Sequence, residues 1–357
     1  MSGSSLRLGV VMGTRPEVIK NYSIIKALRR AGIEFHVLHT GQHSRHDMNR
    51  AFFDELGYQP DFQLEGDHEI GRAIDWLQER IRALGLNLIL VNGDTAAALA
   101  GAIAAVYSDV GLAHVEAGLR SFDTEMYEER NRIMVDAAAH YLFTYTAWEK
   151  ERLEGMDDLR GRIFNVGNTT VDLIADFDER LAGTGRPDYA FVTLHRKEFT
   201  DHPRIMLEVF GALAEVAERI PEVLFPMHPR TRDAMLRHGI PTGVLGKVEV
   251  LEPVGCLEAL TLEKHAKVIL TDSGCIQEEA CIFSVPCITI RENTERQGTV
   301  AIDANILTGF DRGAILDAVT KQLAAGDTAY PPIYGSPGVG ERIVNILASR
   351  FTSFRDY

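Results

Sequence analysis

The fold is decided by the stretch TDSGCIQEE, residues 271–279, where a predicted strand turns into a predicted helix. The apolar run 267–270 precedes it as a buried strand, and a helix is predicted over 277–283. Small residues at the joint let a diphosphate approach the backbone, and the helix N-terminus offers it N–H groups and a partial positive charge. One of the two glutamates can accept the hydroxyls of a ribose. The stretch therefore indicates a site that holds a nucleotide.

Length and charge limit the class of protein. The chain has 357 residues, enough for two domains, and a net charge of −14, which predicts no general attraction to nucleic acid or to an anionic membrane. No apolar run reaches the length of a membrane span, and the first residues lack the apolar core of a signal peptide. The four cysteines form no CxxC pair, which favours buried thiols in a reducing cytosol. We therefore expect a cytoplasmic protein.

Short apolar runs alternate with helical patterns, and the pattern restarts after a linker. Such alternation is typical of parallel, doubly wound sheets, so the fold class is α/β with two Rossmann-like domains. The split lies near 170–185, where 180–188 has the composition of a linker. A mixed helical stretch is predicted at 45–56 and a final helix at 340–349. The predicted strands are 8–12, 35–38, 88–91, 112–115, 141–146, 162–166, 190–194, 223–226, 248–251, 268–270, 287–290 and 305–307.

Polar side chains gather directly after the predicted strands in both halves. Ligands of open parallel sheets bind outside the carboxyl ends of the strands, so these residues predict a site. Two roles stay open for Asp94, catalysis and helix capping, because a residue before a helix can also be its N-cap. Glu116 lies among small residues, a packing that a solvated glutamate does not need. Arg15 can form a fork of hydrogen bonds to a phosphate, and Lys20 adds a point charge. The full set is Arg15, Lys20, Asp94, Glu116, His195, His228 and Ser273.

Some candidates in this set and beside it have a second interpretation. Glu128 and Glu129 open a predicted helix, and one of them can simply favour its dipole. His195 can bind a phosphate, act as an acid, or be an ordinary structural histidine. The same alternatives remain open for His228.

Several other chemistries are excluded by the absence of their motifs. His36, His39, His43 and His46 straddle a strand and a loop rather than one helical face, so we predict no metal site. No GxGxxG follows the first strand, and neither a P-loop nor a GxSxG elbow occurs. Carboxylates together with a phosphate clamp fit proton transfer beside a nucleotide leaving group.

A series of motifs, taken in order, resembles the non-hydrolysing UDP-N-acetylglucosamine 2-epimerase family over residues 8–346. The motifs are Gly13-Thr14-Arg15-Pro16-Glu17, Gly93-Asp94-Thr95, His114-Val115-Glu116-Ala117-Gly118-Leu119-Arg120, Glu128-Glu129 with Asn131-Arg132, Gly167-Asn168-Thr169, Leu194-His195-Arg196, Asp272-Ser273-Gly274 with Gln277-Glu278-Glu279, and Thr294-Glu295-Arg296.

The resemblance implies a GT-B fold, with two facing Rossmann-like domains built on parallel sheets and a C-terminal helix that crosses back to the first domain. The N-terminal domain would span 1–172 together with the C-terminal helix 340–357. The UDP-binding domain would span 186–339. The family is usually homodimeric and uses no cofactor.

The reaction implied by the resemblance is the reversible C2 epimerisation of UDP-N-acetylglucosamine to UDP-N-acetylmannosamine. UDP is eliminated to leave 2-acetamidoglucal and then adds back, with C2 protonated on the other face. Asp94, Glu116 and Glu128 would share the acid and base roles, and His195 joins them. The diphosphate would be surrounded by Arg15, Lys20, His195, Ser273, Gly274 and Arg296, and Glu279 would take the ribose hydroxyls.

The chain departs from the family pattern at several positions. Cys275 replaces a glycine in the phosphate turn, where its side chain would crowd the ligand unless the backbone tolerates a Cβ. Gln42 matches one of two glutamines through which bacterial members bind an activating substrate molecule, but Arg45 stands at the second position. Activation by substrate is therefore not predicted from the motif.

Three alternatives stay open beside the epimerase. These are an epimerase of a related UDP-2-acetamido sugar, a hydrolysing epimerase, and a GT-B glycosyltransferase that would pass the sugar to an acceptor. All of them predict a UDP-sugar partner and neither nucleic acid nor membrane.

Overall fold

The computed structural model describes residues 5–41, 53–66, 69–326 and 329–351. The chain divides into two compact units. Unit 1 comprises Met1–Asp176 with Ile333–Tyr357, and unit 2 comprises Phe177–Pro332. Gln42 and most of the helical stretch predicted at 45–56 lie outside the described residues.

Unit 1 is built on a parallel sheet, described with seven strands in the order β3-β2-β1-β4-β5-β6-β7. The sequence does not predict β3, a two-residue edge strand in a polar segment. The order reverses direction between β1 and β4, the kind of point where open α/β sheets bind ligands. The strands are β1 (Arg7–Met12), β2 (Glu34–His39), β3 (Phe62–Gln63), β4 (Leu88–Asn92), β5 (Gly111–Val115), β6 (Tyr141–Thr144) and β7 (Arg162–Asn165).

The helices of unit 1 follow the strands and cover the sheet. They are α1 (Arg15–Ala31), α2 (Ile70–Leu84), α3 (Ala96–Tyr107), α4 (Tyr127–Ala138), α5 (Ala147–Glu154), α6 (Thr170–Phe177, whose last residue falls in unit 2) and, from the C-terminal segment, α14 (Val339–Arg350). The alanine-rich α3 is almost fully buried, and its Gly101 lies so close to β4 that a Cβ there would come within 2.7 Å of Val91.

The C-terminal helix α14 returns to unit 1 and packs on α1. Asp172 fixes its start, because the carboxylate accepts the backbone N–H groups of Gly338, Val339 and Gly340 at 2.6, 3.1 and 2.8 Å. At Gly340 the two backbones approach so closely that a Cβ would lie 2.4 Å from the carbonyl oxygen of Ser23. The expected crossing-back helix is therefore present, and it is anchored by a cap and a glycine contact.

Unit 2 repeats the design with six described parallel strands in the order β10-β9-β8-β11-β12-β13. The strands are β8 (Tyr189–Thr193), β9 (Glu222–Pro226), β10 (Glu249–Leu251), β11 (Val268–Thr271), β12 (Cys287–Thr289) and β13 (Asn305–Leu307). The helices are α7 (Lys197–Thr200), α8 (Pro203–Val216), α9 (Pro229–His238), α10 (Cys256–Lys264), α11 (Gly274–Phe283), α12 (Gln297–Ala301) and α13 (Arg312–Ala324), with 3₁₀ turns at Asp178–Arg180 and Thr242–Leu245.

The central strands of both units read as continuous apolar runs because helices bury them on both faces. Leu88 to Val91 and Val268 to Leu270 have no exposed surface. Two parallel α/β units with a returning C-terminal helix confirm the predicted fold class. In the part of the chain that the structure describes, no helix has both the length and the apolar character needed to cross a membrane.

Candidate active site

Glu116 occupies the first position after β5, in a backbone conformation that non-glycine residues rarely adopt. Its φ is 73°, in the left-handed region, which costs energy for a residue with a Cβ. The side chain is buried and forms an ion pair with Lys20 of α1, and the Tyr145 hydroxyl lies 3.5 Å from the same oxygen Oε2. A strained, buried and charge-paired carboxylate at a strand end is the expected signature of a functional group.

Asp94 follows β4 and is not the cap of the next helix. That role belongs to Thr95, whose hydroxyl oxygen accepts the N–H of Ala98 at 3.1 Å. The Asp94 carboxylate instead forms an ion pair with Arg132 of α4, and the Asn131 amide donates to the Asp94 carbonyl at 2.9 Å. The capping interpretation of Asp94 is therefore wrong.

The two glutamates that open α4 have different surroundings. Glu128 is exposed on the first turn. Glu129 is buried and accepts the backbone N–H of Ser121 at 2.8 Å and the guanidinium of Arg132 at 2.9 Å. Glu129 thus holds the preceding loop and orients Arg132 toward Asp94.

Glu17 ties the turn after β1 to the turn after β4. One carboxylate oxygen accepts the N–H groups of Gly13 and Thr14 at 2.9 and 2.7 Å, and the other accepts the Thr95 hydroxyl at 2.7 Å. Burial raises the pKa of Glu17, although these hydrogen bonds oppose the shift. Arg15, beside it, is half-buried at the start of α1.

In unit 2 the central organising group is Asp272, which the sequence analysis did not select as a site residue. Its oxygen Oδ2 accepts the backbone N–H groups of His195 and Arg196, each at 2.7 Å. Its oxygen Oδ1 lies 3.3 Å from Nδ1 of His195. Because the side chain is buried, Asp272 fixes both the turn after β8 and the ring of His195.

His228 stands beside His195 and has a structural task of its own. The two rings lie 5.1 Å apart, tilted by 31°. His228 is the N-cap of α9, and its Nδ1 accepts the N–H of Arg230 at 3.1 Å. Accepting through Nδ1 leaves Nε2 as the protonated nitrogen in the neutral ring.

Arg296 is held between two buried carboxylates. Its Nε donates to Glu278 at 2.7 Å, and its Nη1 donates to Glu295. Glu295 also accepts from Arg291 at 3.0 Å and lies 3.8 Å from Arg196. Burial lowers the pKa of Arg291, and the charge of Glu295 opposes that shift. The network gathers three guanidinium groups around two carboxylates.

The phosphate turn of the quoted stretch becomes the N-terminus of α11. Ser273 is the N-cap and Gly274 the first helical residue. A Cβ on Gly274 would lie 2.8 Å from Glu295 Oε1 and 3.0 Å from Arg296 Cζ, so glycine is required for this contact. Cys275 is half-buried and helical, a conformation that any L-residue adopts. The backbone at Cys275 therefore accommodates its Cβ.

Glu279 lies further along α11 and has a second carboxyl group as its neighbour. Glu263 of α10 is buried and hydrogen-bonded to Glu279. Burial, together with the charge and hydrogen bond of Glu279, raises the pKa of Glu263 well above its usual range. Among the residues that the structure describes, no group of three or more His, Cys, Asp or Glu side chains is placed to hold a metal ion.

The structure thus brings the candidates together as two groups, one in each unit. Most of the residues that sequence reasoning missed stand inside motifs that it quoted. The group of unit 1 contains Lys20, Asp94, Glu116, Glu129 and Arg132, and the group of unit 2 contains His195, Arg196, Asp272, Gly274, Glu278, Arg291, Glu295 and Arg296. Arg291 and Glu263 are exceptions, because they lie in no quoted motif. The ion pair with Glu295 identifies Arg291, and burial beside Glu279 identifies Glu263.

Comparison with known proteins identifies the family of this chain. The family model described as UDP-N-acetylglucosamine 2-epimerase matches residues 26–348. The UDP-N-acetylglucosamine 2-epimerase of Methanocaldococcus jannaschii is 39% identical, and the alignment covers 96% of this chain and 99% of that protein. The UDP-2,3-diacetamido-2,3-dideoxy-D-glucuronate 2-epimerase of Pseudomonas aeruginosa is 35% identical over 96% of this chain and 99% of that protein.

Solved structures give the same assignment. The crystal structure of the M. jannaschii UDP-GlcNAc 2-epimerase, in complex with UDP-GlcNAc and UDP, is similar to this chain with a TM-score of 0.85 at 36% identity. That comparison covers 96% of this chain and 100% of the solved one. The chain therefore belongs to the UDP-N-acetylglucosamine 2-epimerase family and is an epimerase.

Proposed function

We propose that this epimerase interconverts UDP-N-acetylglucosamine and UDP-N-acetylmannosamine by eliminating UDP and adding it back. The C2–H bond breaks as the anomeric C–O bond to UDP breaks, and C2 of the resulting 2-acetamidoglucal is then protonated on the opposite face. One observation carries the proposal. It is the pair of charge-paired carboxylates, Asp94 with Arg132 and Glu116 with Lys20, at the ends of neighbouring strands β4 and β5.

The unit 1 group supports the proton transfers. Each carboxylate forms an ion pair with a cation, and the ionised form of a carboxylate is the one that accepts a proton. Burial and the ion pair with Lys20 hold the Glu116 side chain in place before the substrate arrives. Glu128 remains a candidate for the third role, since its exposed side chain in α4 is available to a ligand. Which carboxylate takes the C2 proton is a question for isotope exchange.

The unit 2 group supports the binding of UDP. The N-terminus of α11 offers backbone N–H groups, and the three guanidinium groups outnumber the two carboxylates among them. Nη1 of Arg291 is buried and has no hydrogen-bond partner among the described residues, so it is a donor that a phosphate oxygen would satisfy. Glu279 would receive the ribose hydroxyls.

A second candidate substrate deserves the same test. The P. aeruginosa relative at 35% identity is named for a UDP-2,3-diacetamido-2,3-dideoxy-D-glucuronate. An epimerase of such a related UDP-2-acetamido sugar would use the same elimination, because the chemistry at C1 and C2 is unchanged. The substituents at C3 and C5 of the sugar would then decide the preference.

A proton NMR time course in D₂O tests the proposal. With UDP-N-acetylglucosamine, we expect two UDP-sugars at equilibrium, both deuterated at C2. Release of free N-acetylmannosamine with UDP would indicate a hydrolysing epimerase. Absence of exchange without an acceptor would favour a glycosyltransferase. Exchange only with the diacetamido-glucuronate would establish the second candidate. The homodimer and the cytoplasmic location expected from the sequence stay predictions.

A further inference from the structure

A buried histidine, His114, lies behind the two turns that carry Asp94 and Glu116. It belongs to β5 and has no exposed surface. Its Nδ1 lies 2.7 Å from Oδ1 of Asp136, and its Nε2 lies 2.9 Å from the carbonyl oxygen of Gly93. Both ring nitrogens therefore have a fixed partner.

The partners decide where the ring protons are. A carbonyl oxygen only accepts hydrogen bonds, so Nε2 of His114 must carry a hydrogen. Asp136 is ionised, because its other oxygen accepts from Arg120 at 2.7 Å and from the N–H of Gly118 at 3.2 Å. Burial acts to raise the pKa of Asp136, but the hydrogen bonds and charges of His114 and Arg120 outweigh it and lower that pKa. Asp136 thereby connects the ring of His114 to the N–H of Gly118.

We propose that the buried ring of His114 positions the two candidate catalytic carboxylates. It holds the Gly93 carbonyl directly and the Gly118 amide through Asp136. Gly93 immediately precedes Asp94, and Gly118 lies two residues beyond Glu116. His114 is a positioning residue, since its ring nitrogens contact Asp136 and Gly93 and it acts on Asp94 and Glu116 through their turns. The proposal rests on the proposed function for its catalytic meaning.

The two turns that His114 supports are joined to each other. The N–H of Gly93 donates to the Val115 carbonyl at 3.0 Å. A Cβ on Gly93 would lie 3.4 Å from Oε2 of Glu116. A displacement of the Gly93 carbonyl would therefore move Asp94 and disturb the space beside Glu116. Misplacement of a reacting group by about 1 Å can lower a rate by about 10²-fold.

The charged groups around the network come from three elements. Asp136 faces His114 from α4, and Arg120 faces Asp136 from the loop after β5. Arg152 of α5 donates to the Gly118 carbonyl at 2.8 Å and interacts electrostatically with Asp136, Glu149 and Glu129. Two guanidinium groups thus lie near Asp136, the carboxylate that joins His114 to Gly118.

The hydrogen bond to Gly93 is tested by ¹⁵N NMR on the full chain labelled in histidine. We expect one histidine whose Nε2 carries a hydrogen, because its partner is a carbonyl oxygen, and whose signals disappear in His114→Gln. A His114 ring whose Nε2 carries no hydrogen would overturn the proposal. This measurement requires no turnover, so it stands even if the proposed function fails.

The positioning role is tested by kinetics on His114→Gln, whose side chain keeps an N–H donor but loses the ring that contacts Gly93 and Asp136 together. We expect kcat to fall by about 10- to 100-fold, with C2 deuterium exchange lowered equally and UDP affinity and KM largely unchanged. His36→Gln is the matched control, since that half-buried histidine lies on β2 against Phe62. An unchanged kcat would overturn the positioning role, and so would an equal loss of UDP affinity and kcat. A wild-type chain without epimerisation would instead count against the proposed function.

Discussion

The two units place carboxylates at the same structural position, the carboxyl ends of parallel strands, but surround them differently. In unit 1, Asp94 and Glu116 each face a cation, and Asp94 keeps 21% of its side chain exposed. In unit 2, Asp272 and Glu295 are almost completely buried and accept hydrogen bonds from backbone N–H groups or guanidinium groups. Glu116 is as buried as Asp272 and Glu295, so the partners of these carboxylates, rather than burial, residue type or fold position, distinguish the two candidate groups.

The two units also balance their buried charges in different ways. In unit 1, Lys20 pairs with Glu116, and Arg132 pairs with both Asp94 and Glu129, so loss of one member leaves an uncompensated charge. Unit 2 shares its charges through a network in which Glu295 contacts Arg196, Arg291 and Arg296. Such a network keeps its arginines oriented and leaves a positive excess for an anion. We expect the chemistry to fail with changes in unit 1 and nucleotide binding to fail with changes in unit 2.

The largest effect is expected from Glu116→Gln. A loss of UDP affinity rather than of kcat would contradict the difference between the two units. The amide cannot accept the proton at neutral pH, so kcat should fall by about 10²- to 10⁴-fold. UDP affinity, measured by isothermal titration, should stay largely unchanged. Deuterium exchange at C2 should fall in parallel with kcat.

Glu125→Gln is the control for this change. Glu125 is a glutamate with a 91% exposed side chain in the loop before α4, and its substitution should leave kcat and UDP affinity as in the wild type. Because Glu116→Gln leaves Lys20 without its buried partner, circular dichroism must establish that the variant is folded at the assay temperature. Loss of UDP binding by a folded Glu116→Gln would contradict the division between the units.

A smaller effect, on binding, is expected from Gly274→Ala. The added Cβ would lie 2.8 Å from Oε1 of Glu295 and 3.0 Å from the guanidinium of Arg296, and both side chains are buried. The network must shift, so UDP affinity should fall by about 10- to 100-fold, about 1.4 kcal/mol for each factor of ten. Isothermal titration with UDP measures this.

Gly243→Ala is the matched glycine of unit 2, since a Cβ there would meet nothing within 4 Å. It should bind UDP like the wild type. Alanine is also a better helix former than glycine, so reduced helix propensity cannot explain a loss of UDP affinity in Gly274→Ala. Unchanged UDP affinity in Gly274→Ala would show that the start of α11 does not hold the nucleotide.

The sequence predicts much of this architecture because periodicity and turn chemistry are local. The strand at 268–271 and the helix after it follow from an apolar run and a glycine, and both are present. The edge strand Phe62–Gln63 could not be found, because two residues carry no period. Its place depends on pairing with β2, which is distant in the sequence.

Local sequence patterns also fail to predict which side chains of the site contact each other. Motif positions identified Asp94 and Glu116, but Asp94 could not be separated from a helix cap until Thr95 was seen in that role. Arg132, the partner of Asp94, and Asp272, the partner of His195, lie in quoted motifs whose residues could have been weighed individually. Lys20 was expected near the diphosphate, and its ion pair with Glu116 depends on the packing of α1 against the end of β5, which no local pattern contains.

The smallest expected effect concerns Glu263, the buried carboxyl group that is hydrogen-bonded to Glu279 in unit 2. Burial and the neighbouring charge raise the pKa of Glu263 in the folded state above its unfolded value of 4.5. Below pH 4.5 both states carry the proton, so this group contributes no pH dependence there. Above it the folded state keeps a proton that the unfolded state releases, and stability falls by at most about 1.4 kcal/mol per pH unit until the folded pKa is reached.

Glu263→Gln should remove this loss, because an amide donates to Glu279 without binding a proton. The midpoint of thermal unfolding of the variant should therefore rise relative to that of the wild type as the pH rises from 5 to 8. The difference should be a few degrees for each kcal/mol of unfolding free energy. Glu258→Gln, an exposed position on the same helix α10, should show no such trend. If the unfolding midpoints of Glu263→Gln and the wild type differ by the same amount at every pH, the two carboxyl groups share no proton. Glu279 would then face the ribose without a neutral neighbour, and unit 2 would hold an ionised pair closer in character to the carboxylates of unit 1.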